Sequence, residues 1–547
     1  MQQQPWWRGA VIYQIYPRSF MDANNDGIGD LQGIIQKLPY IKSLGVDAIW
    51  ISPFFKSPMK DFGYDISDYR DIDPMFGTMD DFDELMSHAK SMDIKVIIDQ
   101  VLSHTSDQHP WFLESRESRN NDKADWYVWA DANEDGTPPN NWLSIFGGGA
   151  WQWEPRRQQY YLHNFLTEQP DLNFHNDEVR QQVLDNVEYW LKKGVDGFRL
   201  DAINFCYHDK ELRDNPAKPA HERKGRGFSE DNPYAFQYHY FNNTQPENVG
   251  FMEEIRALMD KYPGVVTLGE ISSEDSLLTM SQYTKGDKRL HMAYSFELLT
   301  EDYSPKYIRQ TIEELEANLS DGWPCWAIGN HDVQRVASRW NQADKAKANS
   351  AQVKMFNAML ASLRGSICSY QGEELGLVEA DIAFEQLQDP YGIAFWPNFK
   401  GRDGCRTPMP WQDHVTNGGF SDAESTWLPV VEVHKVNAIA KQQQSKSSPL
   451  NHYQSFMAWR KTVSELRYGD IQFLDASEHI LAFVREYQGQ TILACFNFDC
   501  SEQAFPLADN VVAEALDGHG FEPVSIYNNE INLPGFGAAY FRCKLVN

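Results

Sequence analysis

The sequence of 547 residues predicts an α/β protein: a (β/α)8 TIM barrel with an inserted subdomain after strand 3 and a C-terminal antiparallel β-sandwich domain. Eight short apolar runs alternate with helix-like amphipathic stretches, one interval between runs is about twice as long as the others, and the tail shows short alternating strands. A doubly wound open sheet is the competing fold, and it is disfavoured because no GxGxxG motif follows the first run.

The predicted barrel strands are continuous apolar runs, as expected for strands that are buried on both faces. Amphipathic segments lie between most of them, for example at 82–92 and 179–194, and the second segment closes with Lys-Lys-Gly, a helix-end signal. The apolar runs begin at Val11, Val46, Ile94, Val195, Val265, Leu290, Trp323 and Ser366.

Three domains follow from this organisation. We expect the catalytic barrel (domain A) at 1–104 and 175–467, a loop-rich insert (domain B) at 105–174, and a C-terminal β domain (domain C) at 468–547. The insert is rich in Trp, Asn, Gly and Gln, and a loop of that length inside a compact unit is usually functional. We therefore expect it to lie over the mouth of the barrel.

Composition excludes several classes of partner. Asp plus Glu is 78 and Lys plus Arg is 49, which gives a net charge of −29. Such a surface repels phosphate backbones and anionic lipid, so we expect neither a nucleic acid nor a membrane as partner. No secretory signal or spanning segment is visible, and seven scattered cysteines fit a reducing cytoplasm better than a disulfide framework. A monomer or a homodimer is expected.

Ionisable side chains gather where the predicted strands end, which is the catalytic edge of a barrel. Acids clustered in this way raise each other's pKa and need a use, which could be metal binding or glycosyl transfer. The third strand ends in Asp99 and then His104, the fourth in Arg199 and Asp201, the fifth in Glu270, and the seventh in His331 and Asp332.

Glycosyl transfer assigns a role to each acid. Arg199 lies two residues before Asp201, so both side chains point to the same face of the strand, and the guanidinium would keep Asp201 ionised as a nucleophile. Glu270, beside other carboxylates, would be held protonated as an acid. The two environments are thus expected to push the two pKa values apart, while Asp332 steadies the substrate hydroxyls.

Several segments resemble the short signatures of the α-amylase family of retaining glycoside hydrolases. They are DQVLSH (99–104), QPDLN (169–173), GFRLDAINF (197–205), GEI (269–271) and GNHDVQR (329–335). Three others look like the oligo-1,6-glucosidase and α-glucosidase branch: WWRGAVIYQIYPRSF (6–20), GYDISDYRDIDPMFGT (63–78) and GRDGCRTPMPW (401–411). The resemblance runs through essentially the whole chain.

By this resemblance, Asp201 is the nucleophile, Glu270 the acid/base and Asp332 the transition-state stabiliser. The resemblance further implies that Tyr64 stacks on the sugar face, and that Phe146 and Phe165 line the pocket, although plain core packing explains those two phenylalanines equally well. Arg406 matches a second arginine of its motif. The residues implied to grip the terminal glucose are Asp65, His104, Arg199, His331 and Arg402.

Ala202, which follows the implied nucleophile, bears on the linkage. Branch members that resemble α-1,6-specific enzymes carry Val there, and a smaller side chain leaves more room beside the next sugar. We therefore expect an exo-acting retaining α-glucosidase that releases glucose from α-1,4-linked maltose and short malto-oligosaccharides or other glucosides, with possible transglucosylation. The alternatives are an oligo-1,6-glucosidase or a sucrose-acting hydrolase or isomerase, and more distantly a non-catalytic relative that serves as a scaffold.

An acidic loop predicts a structural cation. Oxygen donors at alternate positions, with a glycine at the sharp turn, follow the pattern of an EF-hand-like loop, although Gly33 stands where that loop has its twelfth-position Glu. A solvated turn closed by Asx hydrogen bonds is the alternative. The retaining reaction itself needs no catalytic cofactor. The expected ligands of a Ca²⁺ or Mg²⁺ ion are Asp22, Asn24, Asp26, Ile28 and Asp30.

Overall fold

Eight parallel strands form the barrel in the computed structural model, which describes residues 4–223, 231–341 and 343–545. Each begins within two residues of the predicted start, so the TIM barrel is confirmed. The neighbour order is β6-β5-β4-β3-β2-β1-β8-β7, and a bridge between Ala293 and Pro324 closes the ring. The strands are β1 (Val11–Ile15), β2 (Ala48–Ile51), β3 (Lys95–Val101), β4 (Gly197–Asp201), β5 (Val266–Ile271), β6 (Met292–Ser295), β7 (Cys325–Ala327) and β8 (Ser366–Tyr370).

Strand register brings the polar residues of neighbouring strands to matching heights. Asp99 on β3 pairs with Arg199 on β4, and Glu270 on β5 pairs with Tyr294 on β6. Residues two apart on a strand share a face, so Arg199 and Asp201 both point inward. Below them the barrel interior is filled by apolar side chains, among them Ile12, Ala48, Ile97, Leu268 and Met292.

Helices surround the barrel and continue towards the C-terminal domain. The two segments predicted from sequence fold as α2 and α4, and Thr78 and Asp81 form a capping box at the start of α2. The helices are α1 (Leu31–Ser43), α2 (Met79–Ser91), α3 (Pro110–Ser115), α4 (Asp177–Lys192), α5 (Asn248–Met259), α6 (Ser276–Thr284), α7 (Pro305–Leu319), α8 (Val336–Arg339), α9 (Ser350–Ser362), α10 (Pro390–Phe395), α11 (Glu432–Lys435), α12 (Ile439–Gln443), α13 (Pro449–Lys461) and α14 (Ser464–Tyr468).

Two smaller sheets lie in the long connections of the barrel. The segment between β3 and α4 contains α3 and a three-stranded antiparallel sheet of Trp129–Ala130, Gln159–Leu162 and Trp151–Glu154. Phe55–Lys56 and Asp68–Ile72 form an antiparallel pair after β2. These connections supply side chains to the pocket described below.

The C-terminal region folds as two antiparallel sheets, which confirms the β-sandwich. The five-stranded sheet has the order β9-β10-β11-β16-β13, and the three-stranded sheet has the order β12-β15-β14. Phe505 and Ile531 of the smaller sheet pack with Leu493 and Phe541 of the larger one. The strands are β9 (Asp470–Phe473), β10 (Ile480–Tyr487), β11 (Gln490–Asn497), β12 (Gln503–Pro506), β13 (Val511–Ala515), β14 (Ile526–Tyr527), β15 (Glu530–Leu533) and β16 (Ala538–Leu545).

The described residues contain neither a membrane-spanning helix nor a disulfide bond. No helix in this part of the chain is long and apolar enough to cross a membrane. All seven cysteines are free thiols, and the two sulfurs of Cys325 and Cys368, on adjacent strands, lie 3.7 Å apart, at hydrogen-bond distance and without a disulfide bond.

Candidate active site

A pocket opens at the carboxyl ends of the barrel strands. It receives side chains from β4 and β5, from the loops after β2, β3, β4, β5, β6 and β7, and from the segment between β8 and α11. Its walls are Asp61, Tyr64, His104, Ile145, Phe146, Phe165, Gln169, Asp201, Ala202, Phe205, Glu270, Ser272, Phe296, Asp332, Val333, Tyr391 and Arg402.

Nine of the thirteen predicted catalytic and substrate-binding residues line this pocket. They are Tyr64, His104, Phe146, Phe165, Asp201, Ala202, Glu270, Asp332 and Arg402. The other four are buried next to it: Arg199 and His331 lie beneath the acids, Arg406 lies behind Asp332, and Asp65 lies in a separate turn.

Arg199 is the central cation of the site and is fully buried. Its Nη1 lies 2.6 Å from Asp201 Oδ1 and 2.9 Å from Asp99 Oδ1, and its Nη2 contacts Glu270 Oε1. Burial alone would lower the pKa of this guanidinium, but the surrounding carboxylates raise it well above its usual value. One positive charge is thus shared among three acids.

This arrangement contradicts the prediction that the surroundings of Asp201 and Glu270 push the pKa values of these two acids apart. Burial raises the pKa of Asp201 to about 7, and the Arg199 guanidinium opposes that rise without cancelling it. Burial also raises the pKa of Glu270 to about 7, and Arg199 opposes this rise as well. Because the same cation touches both carboxylates, it does not push their pKa values apart.

Asp332 differs from the other two acids. Arg402 Nη1 and Arg406 Nη2 lie 3.2 and 3.0 Å from its Oδ1. Burial alone would raise the pKa of Asp332, but the adjacent His331 ring and the two guanidinium groups lower it below the usual carboxylate value. Of the three candidate catalytic acids, Asp332 is therefore ionised, whereas Asp201 and Glu270 titrate near neutrality.

The substrate-contact prediction for Asp65 is wrong. Its carboxylate is fully buried and accepts hydrogen bonds from Ser57 Oγ and from the backbone N–H groups of Lys60 and Asp61, so it closes a turn. Asp61 lines the pocket instead, and its Oδ1 lies 2.9 Å from Arg402 Nη2. The prediction chose the acid after Tyr64 in the GYD segment, whereas the turn directs the acid three residues before that tyrosine into the pocket.

Two histidines hold Tyr64 in place. The Tyr64 and His331 rings stack 5.3 Å apart with planes 5° from parallel, and Tyr64 Oη lies 2.7 Å from His331 Nε2. His104 Nε2 lies 3.0 Å from the Tyr64 carbonyl oxygen, and burial lowers the pKa of His104 to about 4, so its ring is neutral. A neutral ring offers one donor and one acceptor, a combination that suits hydroxyl groups.

An aromatic wall faces the acids. Phe146 packs between Phe165 and Tyr391, with ring centroids 6.2 and 5.4 Å away, and Arg402 lies over its ring at 5.0 Å. Sequence reasoning missed Tyr391 because it lies in an irregular segment without a motif. It also missed Phe205, Phe296, Asp61 and Gln169, of which only Phe205 and Gln169 stand inside quoted signatures.

Ala202 lines the pocket in an unusual conformation. Its φ of 38° and ψ of 46° lie in the left-handed region, which L-residues rarely adopt. The backbone N–H of Ala202 thereby donates to Glu270 Oε2 at 3.0 Å. Ala202, which follows the candidate nucleophile Asp201, thus also fixes the position of the Glu270 carboxylate.

The acidic loop forms a network of Asx turns. The Asp22 carboxylate accepts from the N–H groups of Asn24, Asn25 and Gly27 and from Ser421 Oγ. Asn24 accepts from the Asp26 N–H, and Asp26 accepts from the Ile28 N–H. Asp30 caps α1 through the Gly33 N–H and also accepts from the Ala23 N–H. Among the described residues, no three His, Cys, Asp or Glu side chains converge closely enough to hold a metal ion.

Comparison with known proteins adds family information. The α-amylase catalytic-domain model matches residues 14–469, and the maltogenic-amylase C-terminal-domain model matches residues 471–539. A probable α-glucosidase of Rhizobium meliloti is 51% identical over 541 residues, covering 98% of this chain and 97% of that one. An oligo-1,6-glucosidase of Heyndrickxia coagulans is 38% identical, covering 92% and 94%.

Solved structures agree with these matches. The α-glucosyl transfer enzyme XgtA has a TM-score of 0.97 and 61% identity, covering 99% of this chain and 100% of that one. The trehalulose synthase MutB of Pseudomonas mesoacidophila has a TM-score of 0.89 and 30% identity, again covering 99% and 100%.

Proposed function

The chain belongs to the α-amylase family, as an α-glucosidase-type glycoside hydrolase, and from this premise we propose that Asp201, Glu270 and Asp332 catalyse a retaining double displacement. One observation supports the proposal above the others: Asp201 and Glu270 contact the same buried guanidinium at the base of one pocket, and both titrate near neutral pH.

In the first step, an Asp201 carboxylate oxygen forms a bond to the anomeric carbon while the glycosidic carbon–oxygen bond breaks. Glu270 gives its proton to the leaving oxygen. In the second step, water loses a proton to Glu270 and attacks the anomeric carbon, which releases Asp201 and glucose. At neutral pH the two acids share about one proton, and the productive arrangement has that proton on Glu270.

The substrate-binding roles remain with the predicted residues except Asp65. Asp61 and Arg402 form an ion pair in the wall and would bind sugar hydroxyls, with Asp332 beside them. Tyr64 would stack on the sugar, while Phe146 and Phe165 would enclose it. His104, Arg199, His331 and Arg406 would bind hydroxyls or fix the groups that do so.

The substrate is proposed to be an α-1,4-linked glucose at the non-reducing end of maltose or a short oligosaccharide. The support is Ala202, whose small side chain leaves room beside the next sugar. Glucose release from maltose, isomaltose and sucrose tests this, with Asp201→Asn as the inactive control. Faster hydrolysis of isomaltose than of maltose would overturn the linkage, and β-glucose as the first product would overturn retention.

Glucosyl transfer is a second candidate activity. It is favoured by the 61% identity to a solved structure described as an α-glucosyl transfer enzyme. A sugar hydroxyl would replace water in the second step and yield a longer saccharide. Product analysis at high maltose concentration checks this, because a purely hydrolytic enzyme gives glucose alone.

We also propose a structural Ca²⁺ or Mg²⁺ at Asp22–Asp30, held by Asp22, Asn24, Asp26, the Ile28 carbonyl and Asp30. Alternating oxygen donors on a tight loop are the ligands these hard cations prefer, and Asn24 and Asp26 are exposed enough to rotate inward. Such an ion would stabilise the loop and take no part in the reaction.

We propose the domain limits 1–104 and 175–467 for domain A, 105–174 for domain B, and 468–547 for domain C. We propose a cytoplasmic protein because all seven cysteines are unpaired thiols, as a reducing compartment allows. A monomer or a homodimer is proposed, with a neutral oligosaccharide as ligand and no nucleic acid or membrane as partner.

A further inference from the structure

Tyr294 on β6 is the register partner of Glu270 on β5. Its ring is 1% exposed and lies among the side chains that fill the barrel interior. It is not among the pocket-lining residues identified in the described part of the chain. The tyrosine therefore lies beneath the acids, where it can act on them but not on a sugar.

The hydrogen bonds of its hydroxyl have a fixed direction. Arg199 Nε and Nη2 lie 3.2 and 3.0 Å from Tyr294 Oη, and a guanidinium can only donate. The single hydroxyl proton is thus free to point to Glu270 Oε1, which lies 3.0 Å away. Tyr294 accepts from the cation and donates to the acid.

The two oxygens of Glu270 consequently have different surroundings. Oε1 receives the Tyr294 hydroxyl and contacts Arg199 Nη2, whereas Oε2 receives the Ala202 N–H at 3.0 Å. A proton on Oε1 would have to displace a charged donor. Negative charge therefore favours Oε1, and the carboxylic proton favours Oε2.

We propose that Tyr294 is a positioning residue for the double displacement: it fixes the Glu270 carboxyl so that Oε2 carries the proton given to the glycosidic oxygen. This inference rests on the proposed function. When Oε2 loses its proton, Glu270 becomes an anion and the hydrogen bond from Tyr294 becomes charge-assisted, hence stronger. The hydroxyl thus stabilises the developing charge on the acid more than it stabilises the neutral acid.

The hydrogen bond from Tyr294 to Glu270 determines the direction in which the pH profile shifts when the hydroxyl is removed. A donor to the carboxylate form lowers the pKa of a carboxylic acid, so removal of the Tyr294 hydroxyl should raise the pKa of Glu270. The alkaline limb of kcat/KM, where the acid must remain protonated, then moves to higher pH. The other ionisable groups that face or act on Glu270 are Arg199, Asp201, Asp99 and Asp332.

The test compares Tyr294→Phe with Tyr283→Phe, whose buried hydroxyl accepts from Asn248 on the outer helices. For maltose, kcat/KM of Tyr294→Phe should fall about 10-fold to 100-fold, as a lost hydrogen bond to a charged group implies. For α-glucosyl fluoride, whose leaving group needs little proton assistance, the loss should stay within about threefold. The kcat/KM of Tyr283→Phe should stay within about twofold of the wild-type value for both substrates.

A second variant keeps the test valid if Tyr294→Phe fails to fold. Incorporation of a ring-fluorinated tyrosine at position 294 preserves shape and makes the hydroxyl a stronger donor, so the alkaline limb should move to lower pH. Equal losses on maltose and α-glucosyl fluoride, or an alkaline limb that moves in neither variant, would overturn the positioning role. The proposed function fails separately, if wild type releases no glucose from maltose or if Asp201→Asn stays active.

Discussion

At the residue scale, the nearby acids Asp61 and Asp65 have different roles. Asp61→Asn removes one of the carboxylate partners of Arg402 in the pocket wall, so we expect kcat/KM on maltose to fall about 100-fold, given roughly 2–3 kcal/mol for a buried charged hydrogen bond. Asp65→Asn replaces one of the two acceptor oxygens in a turn by an NH2 donor, so its expected effect is a melting temperature a few degrees lower with KM close to wild type. Steady-state kinetics and thermal melting of both variants check this, and a larger kinetic effect in Asp65→Asn would contradict it.

The pH dependence of activity follows from the two acids with pKa values of about 7. Asp201 must be ionised and Glu270 protonated, so kcat/KM should be bell-shaped with a maximum near pH 7, falling roughly tenfold per pH unit beyond each limb. A profile on maltose measures this. With Glu270→Ala and α-glucosyl fluoride the alkaline limb should disappear, and a profile that stays flat from about pH 5 to about pH 9 would contradict the assignment.

At the element scale, metal binding by the Asp22–Asp30 loop can be measured separately from the intrinsic stability of the loop. Asp26 is exposed and accepts only from the Ile28 N–H among the contacts described, so Asp26→Ala should leave the metal-free melting temperature close to wild type. In wild type, Ca²⁺ at 100 times its dissociation constant should add about 2.7 kcal/mol relative to EDTA. Asp26→Ala should lose that increment, and an equal increment in both proteins would place the ion elsewhere.

The elements themselves were largely predictable. Apolar runs with intervening amphipathic segments gave all eight barrel strands, because a strand buried on both faces needs apolar residues throughout. The long interval after β3 predicted the insert. Its small sheet was not predicted, because strands of two to four residues are too short to produce a hydrophobic period.

At the scale of the whole molecule, Arg485 on β10 joins the C-terminal sheets to the barrel. It is fully buried and donates to the carbonyl oxygens of Ser362, Leu466, Gly469 and Asp470. Arg485→Met leaves these acceptors unsatisfied, so we expect the unfolding free energy to fall by roughly 2–4 kcal/mol with KM unchanged.

Denaturant titration and maltose kinetics check this prediction. Arg309→Met is the matched control, because Arg309 pairs across the same boundary with Asp475, which is exposed, and should cost no more than about 1 kcal/mol. If the unfolding free energy decreases no more in Arg485→Met than in the control, the interface does not depend on these hydrogen bonds.

The sequence by itself determined the barrel, the order of the acids along it, and nine of the side chains in the pocket. These features are encoded locally, because a strand and the acid at its end are neighbours in the chain. Only the tertiary structure decided that Asp61 rather than Asp65 meets Arg402, that Tyr391 joins the wall, and that Tyr294 lies under Glu270. Those pairings join segments that are far apart in the chain or depend on strand register and turn geometry, which hydrophobic pattern does not record.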